Sequence, residues 1–118
     1  MWLFTQHGFI SAVQHAEDKN TIMVRARDAR SLEFISDLME AEIKKSPGND
    51  YPYRVFVDRE QFMNYLTAEV DMLDYSNYKS RLHATRGDDF YGAASHVWHT
   101  MHEVEDAEAR VVGSKVSR

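Results

Sequence analysis

The fold class predicted by this sequence is an α+β two-layer sandwich, with a small, mostly antiparallel sheet of three or four strands and helices on one face. Three observations predict it. Residues 1–27 carry short runs of aromatic and β-branched residues with alternating polarity, the pattern of half-buried strands. Residues 28–45 and 58–109 repeat apolar residues at helical spacing instead. Between them, YPYRVFVDREQFMNYLTAEV at 51–70 reads as a strand, a cap and a helix with no spare residues. Runs of strand followed by runs of helix, rather than strict alternation, make the α+β class.

Residues 1–5 and 8–15 read as extended segments, with Trp2, Leu3, Phe4, Phe9, Ile10 and Val13 supplying β-prone bulk and Gly8 allowing a bend between them. A polar turn at 17–20 leads into a strand at 21–27, a link short enough for an antiparallel hairpin. On that strand Ile22, Val24 and Ala26 face one side, and Met23, Arg25 and Arg27 the other. Asp28 or Ser31 then caps a helix expected to run to about Lys45, with Leu32, Ile35, Leu38, Met39 and Ile43 buried and Lys44 and Lys45 at its negative end. Ser46-Pro47-Gly48-Asn49 stops it.

Pro52 suits the start of the next strand, because it fixes its own φ and holds Tyr51 extended. Tyr53, Val55 and Val57 are assigned to the core and Arg54 and Phe56 to the opposite face. Asp58 with Gln61 three residues on forms a capping box. The helix that follows is expected to bury Phe62, Leu66, Val70 and Leu73, with Met63 beside them. A turn at 74–77 opens a short helix at 78–84, Arg86-Gly87-Asp88-Asp89 breaks it, and a last helix runs from about Phe90 to Ala109. Its expected buried side is Ala94, Val97, Trp98, Met101 and Val104. The helix between the second and third main strands reads as a crossover, which would allow the third strand to lie parallel to a neighbour. Residues 1–109 are expected to be a single domain and 110–118 a frayed polar tail.

At 118 residues the chain has the size of one domain. A formal net charge of -5 argues against wholesale binding to nucleic acid or an anionic membrane, but leaves room for a local basic patch. With no cysteine there is no disulfide scaffold, thiol nucleophile or thiolate metal site. The apolar start lacks a basic flank and is interrupted by Gln6 and His7, unlike a secretion signal. No apolar run is long enough to span a bilayer. A cytoplasmic location is the expectation.

Several segments carry a resemblance. Met1-Trp2-Leu3-Phe4-Thr5, Gly8-Phe9, Ile22 through Arg27, Asp50-Tyr51 with Tyr53-Arg54, Asp74-Tyr75 with Asn77-Tyr78-Lys79, and Val97-Trp98 together resemble a family of small uncharacterised bacterial and phage proteins. The resemblance implies a discrete one-domain protein and carries over no catalytic residue.

Four features are candidate sites. Arg25 and Arg27 alternate on one strand and Arg54 and Phe56 on another; if those strands are neighbours, three guanidiniums and a ring share one surface. Guanidinium forks grip phosphate and carboxylate, and rings stack on bases, which is the chemistry of nucleotide or single-stranded nucleic-acid recognition on an open sheet. The plain structural alternative is a solvated face paired with acids such as Asp58 and Glu60, and no ribonucleoprotein-type aromatic motif is present. His96, His99 and Glu103 share a helix face, as metal ligands would, without the HExxH spacing or an evident fourth ligand. Asp74 to Lys79, with Asp88 and Asp89, holds acid-base groups that serve equally as helix caps and edge packing. Two tryptophans, six tyrosines and six phenylalanines supply typical anchors of protein interfaces. The expected function is a non-catalytic binding or regulatory protein acting through a protein partner or self-association. The alternative is nucleotide or single-stranded nucleic-acid binding by Arg25, Arg27, Arg54 and Phe56. No cofactor, metal or catalytic residue and no membrane partner is expected.

Overall fold

The computed structural model describes residues 1–112. Strands β1 (Trp2–Thr5), β2 (Gly8–Gln14), β3 (Thr21–Ala26), β4 (Lys44–Lys45) and β5 (Tyr53–Asp58) form one sheet in the order β1-β2-β3-β5-β4, antiparallel at every junction. A 3-10 turn (Ala29–Leu32) and the helices α1 (Glu33–Met39), α2 (Arg59–Asp71) and α3 (Tyr78–Val112) complete the α+β fold. The tail expected to fray from Arg110 stays helical to Val112, and residues 113–118 lie outside the described residues.

Alternation along the strands sends Ile10, Ala12, Ile22, Val24, Ala26, Val55 and Val57 to one face, where they are buried with Leu32, Ile35, Phe62 and Tyr65. Val24 and Val55 are direct cross-strand partners and both are fully buried. Each large aliphatic buried this way contributes about 1.5–3 kcal/mol. At the end of β5 the capping box closes: the Gln61 amide donates to the Asp58 carboxylate at 2.7 Å and the Asp58 amide donates to Gln61 Oε1 at 2.8 Å. Strand becomes helix at that point, and α2 packs Phe62 and Tyr65 into the core.

Four expectations are corrected. β5 is antiparallel to both neighbours, not parallel to one. The reason is that α1 is only seven residues long and ends at Glu40 in the left-handed region (φ 52°), so the chain reverses before it re-enters the sheet. Lys44 and Lys45 are therefore not a helix end. They form a fifth strand, which hairpins onto β5, and the Ser46 amide donates to the Pro52 carbonyl at 2.6 Å. In α2 the buried positions are Phe62 and Tyr65, while Met63, Val70 and Leu73 are exposed. Tyr65 is burial-competent because its hydroxyl donates to Glu69 at 2.6 Å; burial, and the hydrogen bond and charge of Glu69, push its pKa upward. Finally, Val97, Trp98, Met101 and Val104 are exposed rather than buried.

That last correction follows from the path of α3. Gly87 (φ 83°, ψ -174°) interrupts it, giving a first arm at 78–86 and a second at 88–112. Lys79 Nζ lies 4.0 Å from the Trp98 ring centroid, whereas a straight helix would hold them about 28 Å apart. The second arm thus doubles back beside the first. The first arm lies along the β1–β2 turn and takes up its backbone oxygens. Tyr78 donates to the Thr5 carbonyl at 3.0 Å, Thr85 to Gln6 at 2.6 Å and Arg86 to His7 at 2.6 Å. Gly8 follows that turn at φ +139°, and a Cβ there would collide with the Ser31 side chain and the Arg86 guanidinium. Residues 99–111 of the second arm are exposed throughout.

The capping box gives a direct test of how firmly β5 is joined to α2. Asp58→Ala is expected to lower stability by about 1 kcal/mol and the thermal midpoint by roughly 4 °C, measured by circular dichroism on heating.

Candidate functional site

The face of the sheet turned away from the core is organised by its register. Trp2 pairs with Ser11, Ser11 with Arg25, Arg25 with Arg54 and Arg54 with Lys44, so one row crosses all five strands. Beside it, Val13 pairs with Met23 and Met23 with Phe56. Three cations thus stand on adjacent strands, an arrangement that repels within the sheet. Neutral groups hold them. Arg25 donates to Ser11 Oγ at 2.7 Å and lies 4.7 Å over the Tyr51 ring. Arg54 donates to the Tyr51 carbonyl at 3.4 Å and approaches the Met23 sulfur at 3.2 Å. Lys44 Nζ is 5.9 Å from the centre of the Phe56 ring. Among the described residues no carboxylate is within ion-pair distance of Arg25, Arg54 or Lys44. Arg25 Nε is buried with no hydrogen-bond partner. In a chain of net charge -5, this is a local inversion of sign.

The structure therefore brings Arg25, Arg54 and Phe56 together. Arg27 also approaches Tyr51, 4.6 Å from its ring, but is already paired with Asp50. Residues missed by the sequence reading complete the face. Tyr51, which the sequence places only as a strand lead-in, is buried with both the Arg25 and Arg27 guanidiniums against its ring. Lys44, where the sequence predicts a helix end, stands opposite Arg54 on β4. Trp2, Phe4 and Phe9 form an aromatic row, with Phe4 stacked on Phe9 at 4.6 Å and Trp2 edge-on to Phe9 at 5.5 Å. The alternation of Trp2 with Phe4 and of Phe9 with Ser11 was the available signal.

The root of the second arm of α3 stands over this aromatic row. Phe90, Ala93, Ala94 and Val97 face Trp2, Phe4, Phe9 and Tyr51 across a cavity of about 460 Å³, with Arg27, Asp28 and Ser31 supplying polar atoms. Its size and largely apolar lining match what a flat small ligand or a base requires. Arg86 fixes the arm's root. Its side chain is 6% exposed, pairs with Asp28, donates to Ser31 Oγ at 3.2 Å and lies 4.1 Å over the Phe90 ring. Burial opposes ionisation of Asp28, but hydrogen bonds from Ser31 and Arg86 and the charge of Arg86 outweigh it, so the carboxyl titrates below its usual range.

The remaining candidates do other things. No three described histidine, aspartate or glutamate side chains gather as a metal site would require; His99 and His102 instead flank Trp98, with ring centres at 4.9 and 4.7 Å. In the 74–79 stretch, Asp74 pairs with Arg81 at 2.7 Å and Asn77 accepts from the Ser80 amide at 2.9 Å. Tyr78 is pushed up to about 12, chiefly by burial, and its hydroxyl holds the β1–β2 turn. A cluster that sequence reasoning missed joins that turn to α2: Glu69 accepts from Tyr65 and from His7 Nδ1 at 3.0 Å, and the His7 ring stacks on Phe34 at 4.3 Å. Its members are separated by up to 62 residues in sequence, so only the fold assembles it. No described helix is long and apolar enough to cross a membrane. Comparison with protein-family models, with curated proteins and with solved structures gave no match.

The Asp28–Arg86 pair has a readable pH signature. A depressed folded pKa means the stabilisation is complete above the ordinary aspartate value of 3.8 and is lost as pH falls through the folded value. Asp28→Asn is expected to be less stable than the parent chain at neutral pH. In chemical denaturation the difference should shrink as the buffer is taken below that range.

Proposed function

We propose that this is a non-catalytic cytoplasmic binding protein that acts by protein–protein contact through the second arm of α3. The observation that carries the reading is the stripe Met101, Val104 and Val111, spaced by three and seven residues along one helix face and left in water. Met101, Val104 and Val111 are 56%, 59% and 70% exposed. A helix that exposes anchors at this spacing is the form in which amphipathic helices engage a partner. Because the positions are exposed, changing them leaves the fold within about 0.5 kcal/mol of the parent. Met101→Glu with Val104→Glu should therefore keep the thermal midpoint while abolishing recovery of protein partners, including untagged copies of this chain, in an affinity pull-down. Unchanged recovery would refute the reading.

A second reading is favoured by a separate observation. The cation row Arg25, Arg54 and Lys44 has no described carboxylate partner, and the cavity beside it is walled by Trp2, Phe4, Phe9 and Tyr51. Rings that stack a base and guanidiniums that grip phosphate would recognise a nucleotide or single-stranded nucleic acid, with Arg27 and Phe56 at the margins. Labelled oligothymidine should then bind with a log–log salt slope of about -2 for three phosphate contacts, and Arg25→Ala with Arg54→Ala should flatten it. Binding that is absent, or indifferent to salt, removes this reading.

A further inference from the structure

We infer that the partner of the second arm is a second copy of this chain: the outer half of α3 from one protomer lies across the basic sheet face of the other, reciprocally. The inference rests on the protein-contact reading and names its partner. Three observations support it.

The first is that each surface carries an unsatisfied charge where its chemistry is otherwise apolar. On the arm, Glu108 falls between Val104 and Val111 in the apolar stripe, with Glu105 three residues before it on the same side. Glu108 has no ion-pair partner among the described residues, and Glu105 meets only His102, at 3.4 Å. On the sheet, Arg25, Arg54 and Lys44 interrupt a face otherwise made by Val13, Met23 and Phe56. Acids within an apolar stripe and cations within an apolar face complement each other in kind and in position.

The second is dimension. Glu105 and Glu108 are separated by about 4.5 Å of helix rise, and adjacent strands by about 4.8 Å. The two carboxylates therefore match two neighbouring cations of the row, Arg25 and Arg54. The exposed part of the arm, residues 99–111, is about 20 Å long, and the three strands β3, β5 and β4 span about 10 Å. One arm is long enough to cross the part of the face formed by β3, β5 and β4, which the chain's own arm leaves uncovered.

The third is stoichiometry. Each copy carries one arm and one face, so a two-fold pair satisfies both at once and closes without leaving either surface in water.

The test is a charge swap read by light scattering after size exclusion, on the full chain at low salt. The parent chain should have twice the monomer mass and fall toward monomer as salt rises. Arg54→Glu and Glu108→Arg should each raise the dimer dissociation constant at least about tenfold. An equimolar mixture of the two should regain the doubled mass, because each arm then meets a face of opposite charge. Restoration by mixing requires both variants to be folded, and Arg25→Glu with Glu105→Arg provides an independent pair. A parent chain that stays monomeric at raised concentration overturns the inference, while the pull-down with Met101→Glu and Val104→Glu still decides the broader reading. A parent dimer whose variants are not restored by mixing in either pair overturns the arm-on-sheet contact and leaves self-association standing.

Discussion

β3 and β5 are each six residues long and pair over their whole length, from Thr21 opposite Asp58 to Ala26 opposite Tyr53. Everything else is referred to that ladder. Because side chains alternate with period two, the register that sets Val24 against Val55 also sets Arg25 against Arg54. The sheet cannot bury its valines without lining up its arginines on the other side. A slip of one residue would place guanidiniums among Leu32, Ile35 and Phe62, at the cost of desolvating charge with no partner. The core and the basic face are two consequences of one pairing, and the face tolerates its mutual repulsion because the core compels it.

A second constraint decides what else reaches that face. The turn between β1 and β2 exposes backbone oxygens that the first arm of α3 satisfies at three successive residues, through Tyr78, Thr85 and Arg86. Arg86 also pairs with Asp28 and packs on Phe90, so it ties the hairpin, the 3-10 turn and the root of the second arm together. With Gly87 directly after it in a conformation that suits glycine, the chain turns sharply and sends residues 88–112 back beside the first arm. The aromatic cavity and the free helix stripe both follow from this one corner.

Local features were read well where neighbouring residues carry the physics. The Asp58–Gln61 capping box, the inward set Tyr53, Val55 and Val57, and the break near Gly87 all depend on side chains within a few positions of one another. The α+β class followed from the change of period from two to 3.6 along the chain. The basic face was half legible: alternation placed Arg25 with Arg27 and Arg54 with Phe56, but membership of Tyr51, Lys44 and the Trp2–Phe4–Phe9 row depended on strand order. The helix stripes failed where several apolar positions competed. In α2, Tyr65 rather than Val70 is buried, because Glu69 satisfies its hydroxyl. In the second arm of α3 the stripe is real, but the fold leaves it outside.

By itself, then, the amino-acid order determined the alternation of each strand, the caps and breaks of the helices, and the amphipathic character of the last one, since these are properties of neighbours a few residues apart. The tertiary structure alone decided that β5 runs antiparallel, that Lys44 joins Arg25 and Arg54 in one row, that Glu69, Tyr65 and His7 meet, and which apolar stripe finds a partner within the chain. The physical reason is that pairing and burial are settled between segments distant in sequence. An apolar residue records a preference to leave water, and only the packed chain decides what, if anything, it leaves water for.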